Sequence, residues 1–276
     1  MKKTKKISLI LISLLGAILI GWKLFPQNNP AYPLPILPPN LGSEISPNKI
    51  YLPVPVPILM YHHVQEIPGG KNKTGVSMVT PENLEKQLQW LLDHNFQTVN
   101  FDYLYNPLKS EKKPIILTFD DGYRDAYEKA FPVLKKYKST GTFFPIVNNI
   151  DKSGFVTQKQ LLEMKRAGMG FGSHSLSHPN LTTSSDQKNG DEIYGSKNVL
   201  EQRLGITISD FCYPSGIFDQ RTVNFITNSG YKTAVTVNNG TNFGTIDPFR
   251  LNRINIENET NFDNIPELQS KINSTQ

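Results

Sequence analysis

The sequence predicts a parallel α/β fold of about seven strands, preceded by an N-terminal transmembrane helix and a proline-rich stalk. Three observations predict it. Beyond Pro57, short apolar runs alternate with amphipathic helical patterns, and strands alternating with helices imply right-handed βαβ units around a parallel sheet. Half of the 20 prolines fall within residues 26–57. Lys2, Lys3, Lys5 and Lys6 stand directly before a mostly apolar run.

The apolar run, residues 7–22, has the charge-then-hydrophobe order of an export signal. Counted on to Phe25 with a snorkelling Lys23, it just spans about 30 Å of hydrocarbon. No small-x-small cleavage pattern and no cysteine follow it, so it reads as a retained anchor, with a cleaved signal as the alternative. The positive-inside rule then keeps the lysines in the cytoplasm and puts the rest of the chain outside the cell. Residues 1–25 are therefore assigned to the anchor. Residues 26–56 form a semi-rigid stalk rising about 3 Å per residue, whose last few residues have packing on the domain as their alternative. Residues 57–276 form one domain.

Within that domain, strands are expected at residues 58–61, 98–101, 114–119, 142–147, 169–173, 209–213 and 233–237. Thr80-Pro81-Glu82 starts a helix whose Leu84, Leu88, Leu91 and Leu92 share one face. Further helices are expected at residues 124–137, kinked at Pro132, and at 157–167, closed by Gly168. The last two cover residues 191–204 and 222–229. Seven such strands favour a closed or nearly closed barrel over an open doubly wound sheet.

Composition excludes several functions. The formal charge of +5 resides entirely in residues 1–56, where six lysines face one acid, Glu44, so residues 57–276 are neutral. With no basic stripe interleaved with aromatics, nucleic acid is not an expected partner. No glycine-rich phosphate loop opens any helix, which argues against a nucleotide enzyme. Cys212 is the single cysteine; it forbids an intrachain disulfide and a cysteine-rich zinc site, and reads as a small buried residue. Nothing implies an obligate protein partner.

The chemistry sits where strands end, as parallel α/β folds require. Thr118-Phe119-Asp120-Asp121-Gly122-Tyr123 puts two carboxylates at the end of an apolar strand, and Gly122 permits the turn that lets both face one site. An acidic turn capping the next helix is the alternative. Ser173-His174-Ser175-Leu176-Ser177-His178-Pro179 spaces two imidazoles to converge over one helical turn, which suits zinc or a similar divalent ion. Two surface histidines would look the same in isolation. Joined to a spare aspartate, they make a His-His-Asp set with open coordination positions, the pattern of a catalytic site.

These two motifs resemble the first two signatures of the polysaccharide deacetylases, also called the carbohydrate esterase 4 or NodB-homology group, and the resemblance covers roughly residues 55–256. It implies a distorted (β/α) barrel, Asp120 as catalytic base, and Asp121, His174 and His178 as ligands of one divalent ion, zinc first, with cobalt, nickel or manganese as alternatives. Phe211-Cys212-Tyr213-Pro214-Ser215-Gly216 resembles the third signature, implying the Ser215 N–H as oxyanion donor. Tyr213, Pro214, Tyr123 and Leu251 are then expected to contact substrate. Two positions depart from the pattern. Cys212 stands where many members have an arginine that orients the catalytic aspartate, and Arg253 stands where Leu-x-His supplies the catalytic acid. Pro57-Ile-Leu-Met-Tyr61-His62-His63 is similar to the branch that de-N-acetylates poly-β-1,6-N-acetylglucosamine, a resemblance that implies His62 as the candidate acid; a core histidine satisfied by the backbone is the alternative. His63 and His94 are expected to be structural or exposed.

The resemblance implies a hydrolase that removes N-acetyl groups from N-acetylglucosamine-containing polysaccharide, either exopolysaccharide or peptidoglycan. The alternatives are an O-acetyl xylan esterase and a non-catalytic glycan-binding protein.

Overall fold

A computed structural model describes residues 49–67, 75–107 and 110–269. In chain order they form β1 (Ile50–Val56), β2 (Ile58–Tyr61), β3 (His63–Val64), β4 (Met78–Val79), α1 (Pro81–Asp93), β5 (Phe96–Thr98), β6 (Lys113–Asp121), α2 (Phe131–Lys136), β7 (Thr142–Pro145), α3 (Gln158–Arg166) and β8 (Gly170–Phe171). There follow α4 (Asp186–Gly190), α5 (Ser196–Leu204), β9 (Asp210–Cys212), α6 (Gln220–Asn228), β10 (Thr233–Val235), β11 (Asn242–Ile246) and β12 (Ile254–Asn255).

Parallel pairing runs β12-β2-β6-β7-β8, with β5 alongside the start of β6, and β9 pairs parallel with β10. Single parallel bridges, Ser173 to Phe211 and Val235 to Leu251, connect these ladders. The segment from Leu251 to β12 thus borders β10 at one end and β2 at the other.

β6 is apolar without a break because both of its faces are buried. Side chains alternate between faces. Ile115, Leu117 and Phe119 enter a large cluster with Leu84 and Leu88 of α1, Leu134 of α2, Leu161 of α3, Leu200 of α5 and Ile226 of α6. On the opposite face Ile116 joins Ile58, Phe144, Cys212, Val235 and Leu251. Helices therefore cover the outer face, and the inner face is left for a plug and a site.

The plug comes from residues expected to be stalk. β1 pairs antiparallel with β11, and its Leu52 and Val56 are fully buried in the inner cluster. Pro53 and Pro55 are tolerated because an edge strand leaves some N–H groups unused. Proline content suggested an isolated polyproline segment, whereas the alternation of Leu52 inward with Tyr51 and Pro53 outward is that of a strand. Residues 1–48, with the expected anchor and most of the stalk, lie outside the described residues. Among the described residues no helix is long and apolar enough to cross a membrane.

Other boundaries also shift. The strand expected at 98–101 is β5, at Phe96–Thr98, and Phe101–Leu104 is a 3₁₀ turn; β5 pairs with the first three residues of β6, and from Thr118 the partner is β7. The helix expected at 124–137 begins as a π turn, Ala126–Ala130, where Phe131 N–H reaches back to the Ala126 carbonyl, before α2 with Pro132 in its first turn. Leu92 is exposed, while Gln87 shares the buried face of α1. Caps behave as their sequences indicate: Thr80 accepts from Asn83 N–H, and Thr157 with Gln160 closes a capping box on α3.

Candidate active site

β6 delivers its two aspartates to different partners by turning at its end. Asp121 has φ 68° and Gly122 φ 75°, and the Gly122 N–H donates to the Asp120 carbonyl at 2.8 Å. A Cβ on Gly122 would lie 2.8 Å from Pro145 Cβ, so only glycine fits this turn. Asp120 continues the inward face after Ile116 and Thr118, whereas Asp121 is swung toward the histidine loop.

His174 follows β8 and is 3% exposed. Its Nδ1–H donates to the Cys212 carbonyl at 2.8 Å, which leaves the Nε2 lone pair directed at Asp121 Oδ1, 3.5 Å away. The His178 ring stands edge-on to His174, with centroids 4.6 Å apart. Burial holds the His174 imidazole below its ordinary pKa, against the pull of Asp120 and Asp121, and a neutral ring is the form that binds metals.

Two trios of ligand atoms lie close enough to hold an ion: Asp121, His174 and His178, and Asp120, His174 and Cys212. The second is already filled by a cation. Arg253, 1% exposed, donates to Asp120 Oδ1 at 2.9 Å and Oδ2 at 2.8 Å, and the same guanidinium lies 3.3 Å from Cys212 Sγ. The first trio offers two imidazoles and one carboxylate with no competing cation among the described residues, a donor set that fits zinc or a similar ion.

Arg253 is the residue to which sequence reasoning gave no role. Its Nε donates to the Thr236 carbonyl at 2.7 Å and its Nη1 to Thr118 Oγ1 at 3.1 Å, so four partners fix the plane of the guanidinium. Burial alone would push the Asp120 carboxyl up. The Arg253 guanidinium, helped by His62 and His174, instead holds it well below the usual carboxylate range. Cys212, fully buried with its thiol pushed up by burial, points its S–H at Asp120 Oδ2, 3.4 Å away. The arginine missing at position 212 is thus replaced from the segment that leads into β12. The only signal in the sequence was the pair of departures itself, one arginine lost and one gained.

A cavity of about 650 Å³ opens over these groups, lined by His62, Asp120, Asp121, Tyr123, His174, His178, Ser215 and Arg253 among others. His62 Nε2 lies 4.0 Å from Asp120 Oδ2, and its buried Nδ1 has no hydrogen-bond partner among the described residues. His63 is turned aside, with Nδ1 2.6 Å from Asp125 Oδ2 and its ring stacked on Tyr123. His94 is an exposed residue stacked on Trp90 at the end of α1.

The profile of the family described as polysaccharide deacetylase matches residues 108–234. A putative polysaccharide deacetylase of Bacillus subtilis, YxkH, is 30% identical over 209 residues, covering 74% of this chain and 72% of that one. The chain belongs to the polysaccharide deacetylase family. The deacetylase PplD of Streptococcus pyogenes, solved in complex with acetate, superposes with a TM-score of 0.71 at 32% identity, covering 75% of this chain and 95% of that one. A poly-β-1,6-N-acetyl-D-glucosamine N-deacetylase of Staphylococcus aureus is 27% identical over 176 residues, 56% of this chain but only 59% of its own length. Both His62 and Arg253 lie outside the profile match.

Membership does not carry every expected contact to its place. Leu251, expected at the substrate, is fully buried in the inner cluster, because its backbone bridges Val235 and turns the side chain under the site. Pro214 is buried in a 3₁₀ turn and is not part of the cavity wall. Tyr213 borders the cavity, yet its ring is buried against Phe218 and its hydroxyl donates to the Phe249 carbonyl at 2.9 Å. Tyr123 does line the cavity, its phenol pushed up by burial and by the Asp121 carboxylate. Ser215, at φ 55°, lines it too. Sequence reasoning missed Ser77, Asn149, Phe155, Val237 and Asn255 on the same wall; none of them belongs to a motif.

Proposed function

We propose that this chain is a metal-dependent de-N-acetylase that releases acetate from poly-N-acetylglucosamine exopolysaccharide. The observation that carries the reading is the split of Asp120 and Asp121 at one turn: the first is gripped by Arg253 beside His62, the second faces His174 Nε2. The Pro57–His63 similarity and the named activity of the Staphylococcus aureus relative support the choice of polymer.

Asp121, His174 and His178 would hold the ion, zinc being our first choice. When bound, a divalent ion supplies Lewis-acid polarisation of a carbonyl and acidifies water. Asp120, kept anionic and aimed by Arg253, accepts a proton as water adds to the acetyl carbon. The 4.0 Å gap between His62 Nε2 and Asp120 Oδ2 is too long for a hydrogen bond, so both groups remain available to reactants. His62 gives its proton to the amide nitrogen as the C–N bond breaks, because an amine leaves only once protonated. The Ser215 N–H is assigned to the developing oxyanion, where one lost donor commonly costs about 2.7–4 kcal/mol. Acetate and a free glucosamine-type amine are the products.

We further infer a (β/α) barrel, from the bridges that link the ladders end to end, and a membrane tether outside the cell, from the lysine-flanked run at residues 7–22.

Asp120→Asn is expected to lower acetate release from N-acetylglucosamine oligomers by about 10²–10⁴-fold while zinc content holds. His174→Ala is expected to lose both. Normal turnover in either variant, or a preference for acetylated xylan, would refute the assignment.

A further inference from the structure

Ser177, between the two ligand histidines, is gripped by a buried carboxylate. Glu192 is 1% exposed; its Oε2 accepts from the Ser177 N–H at 2.8 Å and its Oε1 from the Ser177 hydroxyl at 2.5 Å. Lys188, four residues earlier, reaches Oε1 at 2.8 Å and compensates the charge. Glu192 lies in a π turn, Asp191–Gly195, between α4 and α5. Such wide turns recur at functional sites.

The loop needs holding. Ser175 has φ 62° and His178 φ 60°, two side-chain-bearing residues in the left-handed region within one short segment. That region is sterically unfavourable for L-residues, and such residues persist where their surroundings over-determine them. Part of the restraint is internal: Ser173 Oγ accepts from Ser175 N–H, and Ser175 Oγ accepts from His178 N–H. Val147 and Asn148 N–H donate to the carbonyls of Ser175 and Leu176. All but one of those ties hold the half of the loop nearer His174; the exception, from Ser175 Oγ, reaches only the His178 N–H. Glu192 holds the half that carries His178.

We propose that Glu192 is a positioning residue of the metal site, keeping the His178 imidazole opposite Asp121 and His174 before an ion arrives. The inference rests on the reading of those three residues as ligands. Without Glu192, residues 176–178 relax from their strained conformation, and ion binding has to reimpose it. A carboxylate that only satisfied two donors would influence folding and leave ion affinity alone.

Zinc titration of the full chain against a chelator of known affinity separates the two, with thermal unfolding of the metal-free proteins measured alongside. Glu192→Ala is expected to weaken zinc binding by at least about tenfold, the scale of outer-shell partners of metal ligands. Glu192→Gln keeps an acceptor for the Ser177 N–H but loses the anionic acceptor for its hydroxyl, and is expected to fall between Ala and wild type. If the Ala variant does not fold, the Gln variant decides on the same measurement. Wild-type zinc affinity in every folded variant, whatever the change in melting temperature, overturns the role of Glu192 alone. A wild-type chain that binds no zinc overturns the ligand assignment and this inference with it.

Discussion

Asp120 is a buried carboxylate whose character is set chiefly by Arg253. Replacing Arg253 by Met leaves burial opposed only by His62 and His174, so the Asp120 carboxyl rises from its depressed position. A base must be ionised to act, so the acidic limb of the kcat/KM profile is expected to move to higher pH, with turnover at neutral pH lower by about tenfold or more. Removing one partner of a buried ion pair also costs about 3–5 kcal/mol, readable as a lower denaturant midpoint. A variant whose pH profile coincides with that of wild type would remove Arg253 from catalysis. At this scale the sequence was informative wherever chemistry was local: Asp120, Asp121, His174 and His178 announce themselves by spacing and land together. Arg253 did not, because it meets Asp120 from 133 residues away and nothing in its neighbours marks an inward-facing guanidinium. Pro214 and Leu251 lie off the cavity wall for the opposite reason, since a motif says which residues lie near a site without saying which way each side chain points.

Strands were legible as apolar runs, and their ends were not. Every expected parallel strand exists, yet most are shorter, because a ladder stops where its neighbour stops, and that is a property of the pair. β9 and β10 illustrate what such pairing does to a polar group. Asp210 Oδ1 accepts from Thr233 Oγ1 at 2.6 Å across the ladder, and burial raises the carboxyl to about 7 against the lowering effect of that bond, with Asp102 adding to the rise. The unfolded chain has the ordinary value near 3.9, so the folded state binds the extra proton between these limits. The contribution is therefore complete below about pH 4 and is lost as pH rises through about 7. Asp210→Asn, which cannot ionise, is expected to gain stability over wild type at pH 8 but not at pH 4. Because the side chain is only half-buried, the gain is about 1–2 kcal/mol. Equal urea midpoints for the two proteins at pH 8 would show that the carboxylate ionises there at no cost. π turns were invisible to periodicity, since they preserve an apolar face while adding a residue to it.

The whole molecule depends on a segment that composition disguised. β1 supplies Leu52 and Val56 to the inner cluster, each worth about 1.5–3 kcal/mol when fully buried. A chain beginning at Lys49 is expected to melt about 10 °C above one beginning at Pro57, and equal melting temperatures would return β1 to the status of a tether. The proline count pointed away from this answer because proline reports which hydrogen bonds are missing, and an edge strand has some to spare. The same ribbon has a further effect on traffic. With Leu52, Val56 and Phe144 stoppering the far end of the inner face, the catalytic bowl is a cul-de-sac. Whatever reaches Asp120 has to enter by the side lined by His62, Tyr123 and His178, and acetate leaves by the doorway that admitted the acetamide.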